Sequence, residues 1–210
     1  MRVRVYVGET RSKAMIKRLR TNGWGRMFTV ARATPWSGEQ WGFDNGAYVF
    51  YSGGLPFDED VFRRRLQASY CKGPPALAVV PDEVGGGINS LEFSERWRSD
   101  LPDEWPWYLA VQDGMEVDDV APVLGRYSGI FLGGTDAFKT TAAEWCGLAH
   151  RHNKLFHYGR AGTAKKIQHA QSVGADSLDS AFPLWTKERF NFFEEILTKG
   201  HPQGSLELGV

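Results

Sequence analysis

Cysteine is scarce. Only Cys71 and Cys146 occur in 210 residues, so neither a disulfide framework nor a cysteine-rich zinc site can be built. Long apolar runs are missing too: no stretch approaches the roughly 18 residues of a membrane span. The chain opens on Arg2 and Arg4 and then a strand pattern, without the apolar centre of a signal peptide. Internal repeats, low-complexity tracts and long linkers are absent, and no charge sign is in excess, because 25 basic residues balance 25 acidic ones. These absences exclude a disulfide-stapled secreted domain, a membrane protein and a disordered or coiled-coil chain. They point to a reduced, cytoplasmic setting.

What is present is an ordinary globular composition. With 42% hydrophobic residues, the chain can bury one sizeable core and hardly two, so residues 1–210 are read as a single domain. The balanced charge hides an uneven distribution. Residues 1–34 hold nine Lys/Arg (including Arg11, Lys13, Lys17 and Arg18) against Glu9 alone, and the remainder is correspondingly acidic. Such a segment is either a polyanion-facing surface or a solvated helix face.

Short apolar runs at 3–7, 27–30, 41–43, 76–80, 107–111, 129–132, 155–158 and 177–178 read as strands. Between them, 11–20, 58–70, 90–99, 117–124, 140–151, 163–173 and 187–198 read as helices. Strands alternating with helices imply a parallel α/β sheet. Eight strands predict closure into a (β/α)8 TIM-like barrel, with some helices short or missing because about 250 residues is more usual. A doubly wound open sheet is the competing architecture.

Polar residues end several of these strands: Asp44 after Phe43, Asp82 after Pro81, Gln112 after Val111, Gly133-Gly134 after Leu132, and Asp179 after Leu178. Turn chemistry alone favours Asp and Gly at any one strand end. Five segments delivering them to the carboxyl rim of a barrel, where active sites lie, point instead to a shared site.

In this order, the segments from about Gly42 to Pro183 resemble the tRNA-guanine transglycosylase superfamily. They are most similar to the DNA deazaguanine transglycosylases of phages and bacteria (DpdA-like). Asp44-Asn45-Gly46-Ala47-Tyr48-Val49-Phe50 is similar to a family segment whose aspartate is a general acid/base and whose aromatic stacks on the purine. The resemblance gives Asp82 to the guanine edge, Gln112 to the base carbonyl and the Gly133-Gly134 backbone to an amide contact. Gly162-Thr163, a helix and then Gly174-Ala175-Asp176-Ser177-Leu178-Asp179-Ser180 match the family's nucleophile segment, placing the nucleophile at Asp179 and Asp176 in a structural role. The family's tRNA enzymes carry a zinc held by three cysteines and a histidine after that segment. Here only His201 follows among such ligands, so no metal and no cofactor are expected, and the DNA-acting branch is favoured.

The chemistry implied is exchange of guanine in DNA for a 7-deazaguanine, such as 7-cyano-7-deazaguanine, through a covalent aspartyl-deoxyribosyl intermediate. A carboxylate nucleophile splits such an exchange at one carbon into two displacements. A second carboxylate moves protons on and off the purine. The base must leave the stack, and Tyr48 offers a face for it. Exchange on tRNA or a nucleoside remains an alternative, as does a non-catalytic barrel that binds deazaguanine or nucleic acid, although the latter needs neither Asp44 nor Asp179. Because net charge is zero, a partner protein that loads DNA fits the composition.

Other residues carry weaker expectations. Arg160, before a helix, suits a phosphate and Lys165 and Lys166 extend the patch. His157 reads as a satisfied core histidine in preference to a site residue. Most tryptophans read as packing, with Trp185 the one suited to stacking on base or sugar. Arg63-Arg64-Arg65 reads as a solvated helix face, and Gly85-Gly86-Gly87 as a mobile loop over the bound base.

Overall fold

Apolar runs of four or five residues, cut by polar rim residues, become strands that each bury one side in the barrel and the other under helices. The computed structural model describes residues 3–29 and 34–199. Its eight parallel strands are β1 (Arg4–Val7), β2 (Gly25–Phe28), β3 (Gly42–Phe43), β4 (Leu77–Val79), β5 (Trp107–Val111), β6 (Gly129–Leu132), β7 (Leu155–Tyr158) and β8 (Ser177–Ser180). They pair in chain order, and β8 returns to β1 with Tyr6 opposite Asp179 and Val7 opposite Ser180. That last ladder closes the (β/α)8 barrel and excludes an open doubly wound sheet.

The helices are α1 (Lys13–Asn22), α2 (Ala47–Ser52), α3 (Glu59–Tyr70), α4 (Ile88–Trp97), α5 (Val117–Val120), α6 (Ala142–Arg151), α7 (Ala164–Ser172) and α8 (Lys187–Lys199). Side-chain caps fix several starts. Ser12 accepts from the Met15 amide, Asp58 from Val61 and Thr163 from Lys166. Economy comes from two connections: α5 is a single turn, and β2–β3 has no helix among the described residues. None of the described helices is long and apolar enough to cross a membrane.

Alternation along the strands sorts the core into two groups. Tyr6, Met27, Leu77, Val79, Tyr108 and Ala110 pack together inside the barrel with Phe131 against them. Their neighbours Val5, Val7, Phe28, Ala78, Leu109, Val111, Ile130 and Leu132 belong to the larger cluster under the helices. Two tyrosines need room in so narrow a barrel, and glycines supply it: a Cβ on Gly42 would lie 2.6 Å from the Met27 sulfur, and one on Gly129 would collide with the Tyr108 ring.

β1, β3 and β4 are each a residue shorter at one or both ends than the expected runs, and two strands differ by more. β2 starts at Gly25 instead of residue 27, because Arg26 is a buried strand residue paired with Glu39 at 2.8 Å (Val30, at the end of the expected run, lies outside the described residues). β8 runs on to Ser180, so Asp179 sits within the ladder and not after it.

Candidate functional site

Continuing the inward parity of the strands by one step upward gives Asp44, Gln112 and Gly133, and in β8 it gives Asp179. The rim cavity confirms the count. Asp44, Tyr48, Asp82, Gln112, Gly133, Gly134, Arg160 and Asp179 all line one pocket of about 570 Å³, mouth included. All eight residues expected at the site are therefore brought together.

Asp179 is the best-held carboxylate. His157 Nε2 lies 3.0 Å from its Oδ1, and the Arg160 amide donates to the same oxygen at 2.9 Å. His157 itself is fully buried, with Nδ1 2.8 Å from Ser177 Oγ and its ring stacked on Phe131. It is a satisfied core histidine, as expected, yet its partner is the candidate nucleophile. Burial works to raise the Asp179 pKa, but the His157 bond and charge, the Arg160 amide and the Lys139 ammonium outweigh it and hold the carboxyl below its ordinary value. Arg160 adopts φ +52°, a left-handed conformation that costs a non-glycine residue energy; its geometry aims the amide at Asp179.

Asp44 and Asp82 move the other way. Burial raises Asp44, the facing Asp179 charge adds to it, and the Gly46 amide at 2.6 Å opposes it. Gly46 has φ +79°, and a Cβ there would strike the Arg65 guanidinium. Burial likewise pushes Asp82 up to about 6, despite the 2.6 Å bond from Asn45 Nδ2. Three carboxylates thus face one pocket with their pKa values driven apart, an arrangement suited to dividing acid and nucleophile roles.

Arg65 corrects the reading of 63–65 as a solvated face. Arg63 does pair with Asp100 on the surface, but Arg65 is buried, and its guanidinium donates to the backbone carbonyls of Asp44 at 2.7 Å and Asn45 at 2.9 Å. Phe62, Arg65 and Ser69 form the inward stripe of α3. Arg65→Met leaves both buried carbonyls unpaired, and an expected loss of about 3 kcal/mol follows. Urea unfolding measures it; a change under about 0.5 kcal/mol, the range of ordinary surface substitutions, contradicts this role.

Gln112 is largely committed to structure. Its Nε2 donates to the Glu83 carbonyl at 2.9 Å and its Oε1 accepts from the Gly85 amide at 2.6 Å. An amide keeps one further N–H and one lone pair for a ligand. The same bonds tie down the Gly85-Gly86-Gly87 loop expected to be mobile, and Gly86 closes a turn onto Glu83. Gly134 has φ +71°, and a Cβ on it would crowd Asp113 and Phe138 at 2.7 Å, so the close approach of its backbone to the pocket requires glycine. Asp113 accepts from Thr135 N and Oγ1, which clips the β6 loop to the β5 loop. Over the mouth, the Arg160 guanidinium stacks 4.0 Å from the Tyr48 ring centre and donates to the Gly134 carbonyl.

Some expected residues lie elsewhere. Trp185 is 60% exposed, under Arg189, and does not line the pocket. Among the described residues the basic amino-terminal segment is divided: Arg11, Lys13, Lys17 and Arg20 are exposed at and along α1, but three others are placed elsewhere or engaged. Arg26 is buried on Glu39, Arg18 reaches Glu194 and Asn191 on α8, and Arg4 starts β1 at the opposite end of the barrel from the site. Arg2 and Arg32 lie outside the described residues, as does His201.

Cys146, His150 and Asp176 meet at that opposite end too, but burial pushes the thiol up to about 11, which leaves no thiolate for catalysis. Asp176 also accepts from the Phe156 amide, a structural bond. No group of three or more His, Cys, Asp and Glu side chains is placed to hold a metal among the described residues. A scan against protein-family models and a search of curated proteins both return no match.

Proposed function

We propose that this barrel exchanges guanine in DNA for a 7-deazaguanine by two displacements at one sugar carbon. The observation that carries the reading is the pairing of a depressed Asp179 with a raised Asp44 across one pocket at the carboxyl rim of the barrel. Asp179, ionised, attacks C1′ and the bond from C1′ to the purine nitrogen breaks. Asp44 in its protonated form, a fraction that its raised pKa enlarges, delivers its proton to the departing guanine. The incoming 7-deazaguanine returns a proton to Asp44 as its own nitrogen attacks C1′, and Asp179 leaves as the carboxylate it was. Ionised Asp82 accepts from the N1–H and 2-amino group shared by both bases. Tyr48 covers the base. His157 is a positioning residue that keeps Asp179 ionised and aimed.

DNA as the polymer, and deazaguanine as the incoming base, rest on the resemblance in the motif residues. Labelled guanine incubated with the protein and either DNA or bulk tRNA tests the reading. Label entering DNA is the expected result. Entry into tRNA alone overturns the choice of polymer, and entry into neither overturns the exchange.

The pKa of Asp82 gives a second check on the pocket. Below about 6 the carboxyl carries a proton and presents a donor toward the guanine N1–H, so guanine affinity is expected to fall about tenfold per pH unit below that point. Above it, affinity levels off. Calorimetric titration from pH 5 to 8 measures this, and Asp82→Asn removes the dependence. A flat wild-type profile contradicts the assignment.

A further inference from the structure

The base pocket does not end at Arg160. A groove of about 870 Å³ continues from it, sharing Tyr48, Gln112, Gly134 and Arg160 with the pocket and adding Tyr51, Lys139 and Lys166. Its two sides differ in chemistry. One is aromatic: Tyr48 and Tyr51 project from α2, are 49% and 55% exposed, and have ring centres 6.3 Å apart. Large aromatics at such exposure on a short helix are unused by the core. The other side is cationic, with Arg160, Lys139 and Lys166.

Two carboxylates, Asp113 and Asp136, share the groove with these three cations. Asp113 is occupied by Thr135. Asp136 pairs with Lys166 at 2.6 Å, but its side chain is 76% exposed and is free to turn to solvent when another anion takes its place. Lys139 is buried, with its ammonium on the Gly159 carbonyl, and forms the wall between this groove and a further cavity that adds Thr163, Lys165 and His169.

We propose that this groove holds the nucleotide next to the extruded base in a single strand, its base stacked on Tyr51 and its phosphate between Arg160 and Lys166. The inference rests on the nucleic-acid reading of the pocket and replaces the amino-terminal segment as the main phosphate contact. An aromatic face beside a cationic wall is the pairing that binds unpaired nucleotides without reading their sequence. The cavity beyond Lys139 extends the positive track by Lys165 for a following phosphate.

The test compares binding of guanine, deoxyguanosine and a trideoxynucleotide with central guanine by calorimetry. Wild-type protein is expected to bind the trinucleotide at least tenfold more tightly than deoxyguanosine. Tyr51→Ala and Lys166→Ala should each remove about tenfold of that gain, with guanine affinity unchanged, since neither side chain lines the base pocket. Lys166→Ala should also lower the log–log salt slope by about 0.7. Equal affinity for deoxyguanosine and trinucleotide, or no effect of either variant on the trinucleotide, overturns the groove while guanine binding preserves the base-pocket reading. Trinucleotide binding that depends on both residues, without guanine binding, supports the groove and overturns the base pocket. Binding of none of the three overturns both.

Discussion

Replacing Asp179 with asparagine is expected to abolish base exchange, by about 10⁴–10⁶-fold, the scale on which removal of a covalent nucleophile is felt. The substitution keeps the shape, and its carbonyl oxygen still accepts from His157 and the Arg160 amide. What it removes is the negative charge and the electron pair that attacks C1′. Stability moves modestly. The depressed carboxyl is better accommodated folded than unfolded, so it stabilises the protein above its ordinary pKa of 3.8 and loses that contribution as pH falls through its lower folded value. Asp179→Asn should therefore lower Tm slightly at pH 7. Activity near wild type in a folded Asp179→Asn protein contradicts the nucleophile assignment.

Asp44→Asn is expected to slow exchange by about 10²–10⁴-fold while guanine still binds. Here stability goes the other way. A carboxyl whose folded pKa is raised holds its proton longer in the folded state, so stability declines as pH rises from 3.8 through the raised value. Removing the charge relieves that cost, and Tm at pH 7 should rise as turnover collapses. The opposite movement separates a catalytic defect from unfolding. Weakened guanine binding with an unchanged rate at saturation would make Asp44 a recognition residue.

Much of this arrangement is legible in the sequence because a parallel barrel imposes simple rules. The runs at 107–111, 129–132 and 155–158 become β5, β6 and β7 with those bounds, since each is mostly apolar (His157 the exception) and is followed at once by a polar or glycine residue. β8 extends two residues past the run 177–178, because Asp179 and Ser180 are polar and give no apolar signal. Its inward polar side chains survive in the barrel only because His157 bonds both Ser177 and Asp179, a cross-strand contact between residues some twenty positions apart. The helix α2 was hidden by its composition, Ala-Tyr-Val-Phe-Tyr-Ser, which has no polar face to give a period.

Charge was the least readable property. Nine cations in 34 residues look like a patch on paper, but those among the described residues are divided between β1, the start and body of α1, and β2, where Arg26 is buried. Arg65 failed for the same reason: a run of three arginines looks solvated unless the stripe Phe62, Arg65, Ser69 is read at helical spacing. The eight candidate residues that line the pocket are legible through their order along the chain. Their surroundings, chiefly His157, Arg65 and Asn45, follow from packing and are not.

The central claim is a covalent bond between Asp179 and the sugar. Wild-type protein incubated with guanine-containing DNA without an incoming deazaguanine, then quenched in denaturant, should run as a protein–DNA band on denaturing electrophoresis. Proteolysis and mass spectrometry should place a deoxyribosyl ester on the peptide containing Asp179, and Asp179→Asn should give no band. A band of equal intensity from Asp179→Asn, or exchange that proceeds in the wild type with the ester on any other residue, would contradict the account.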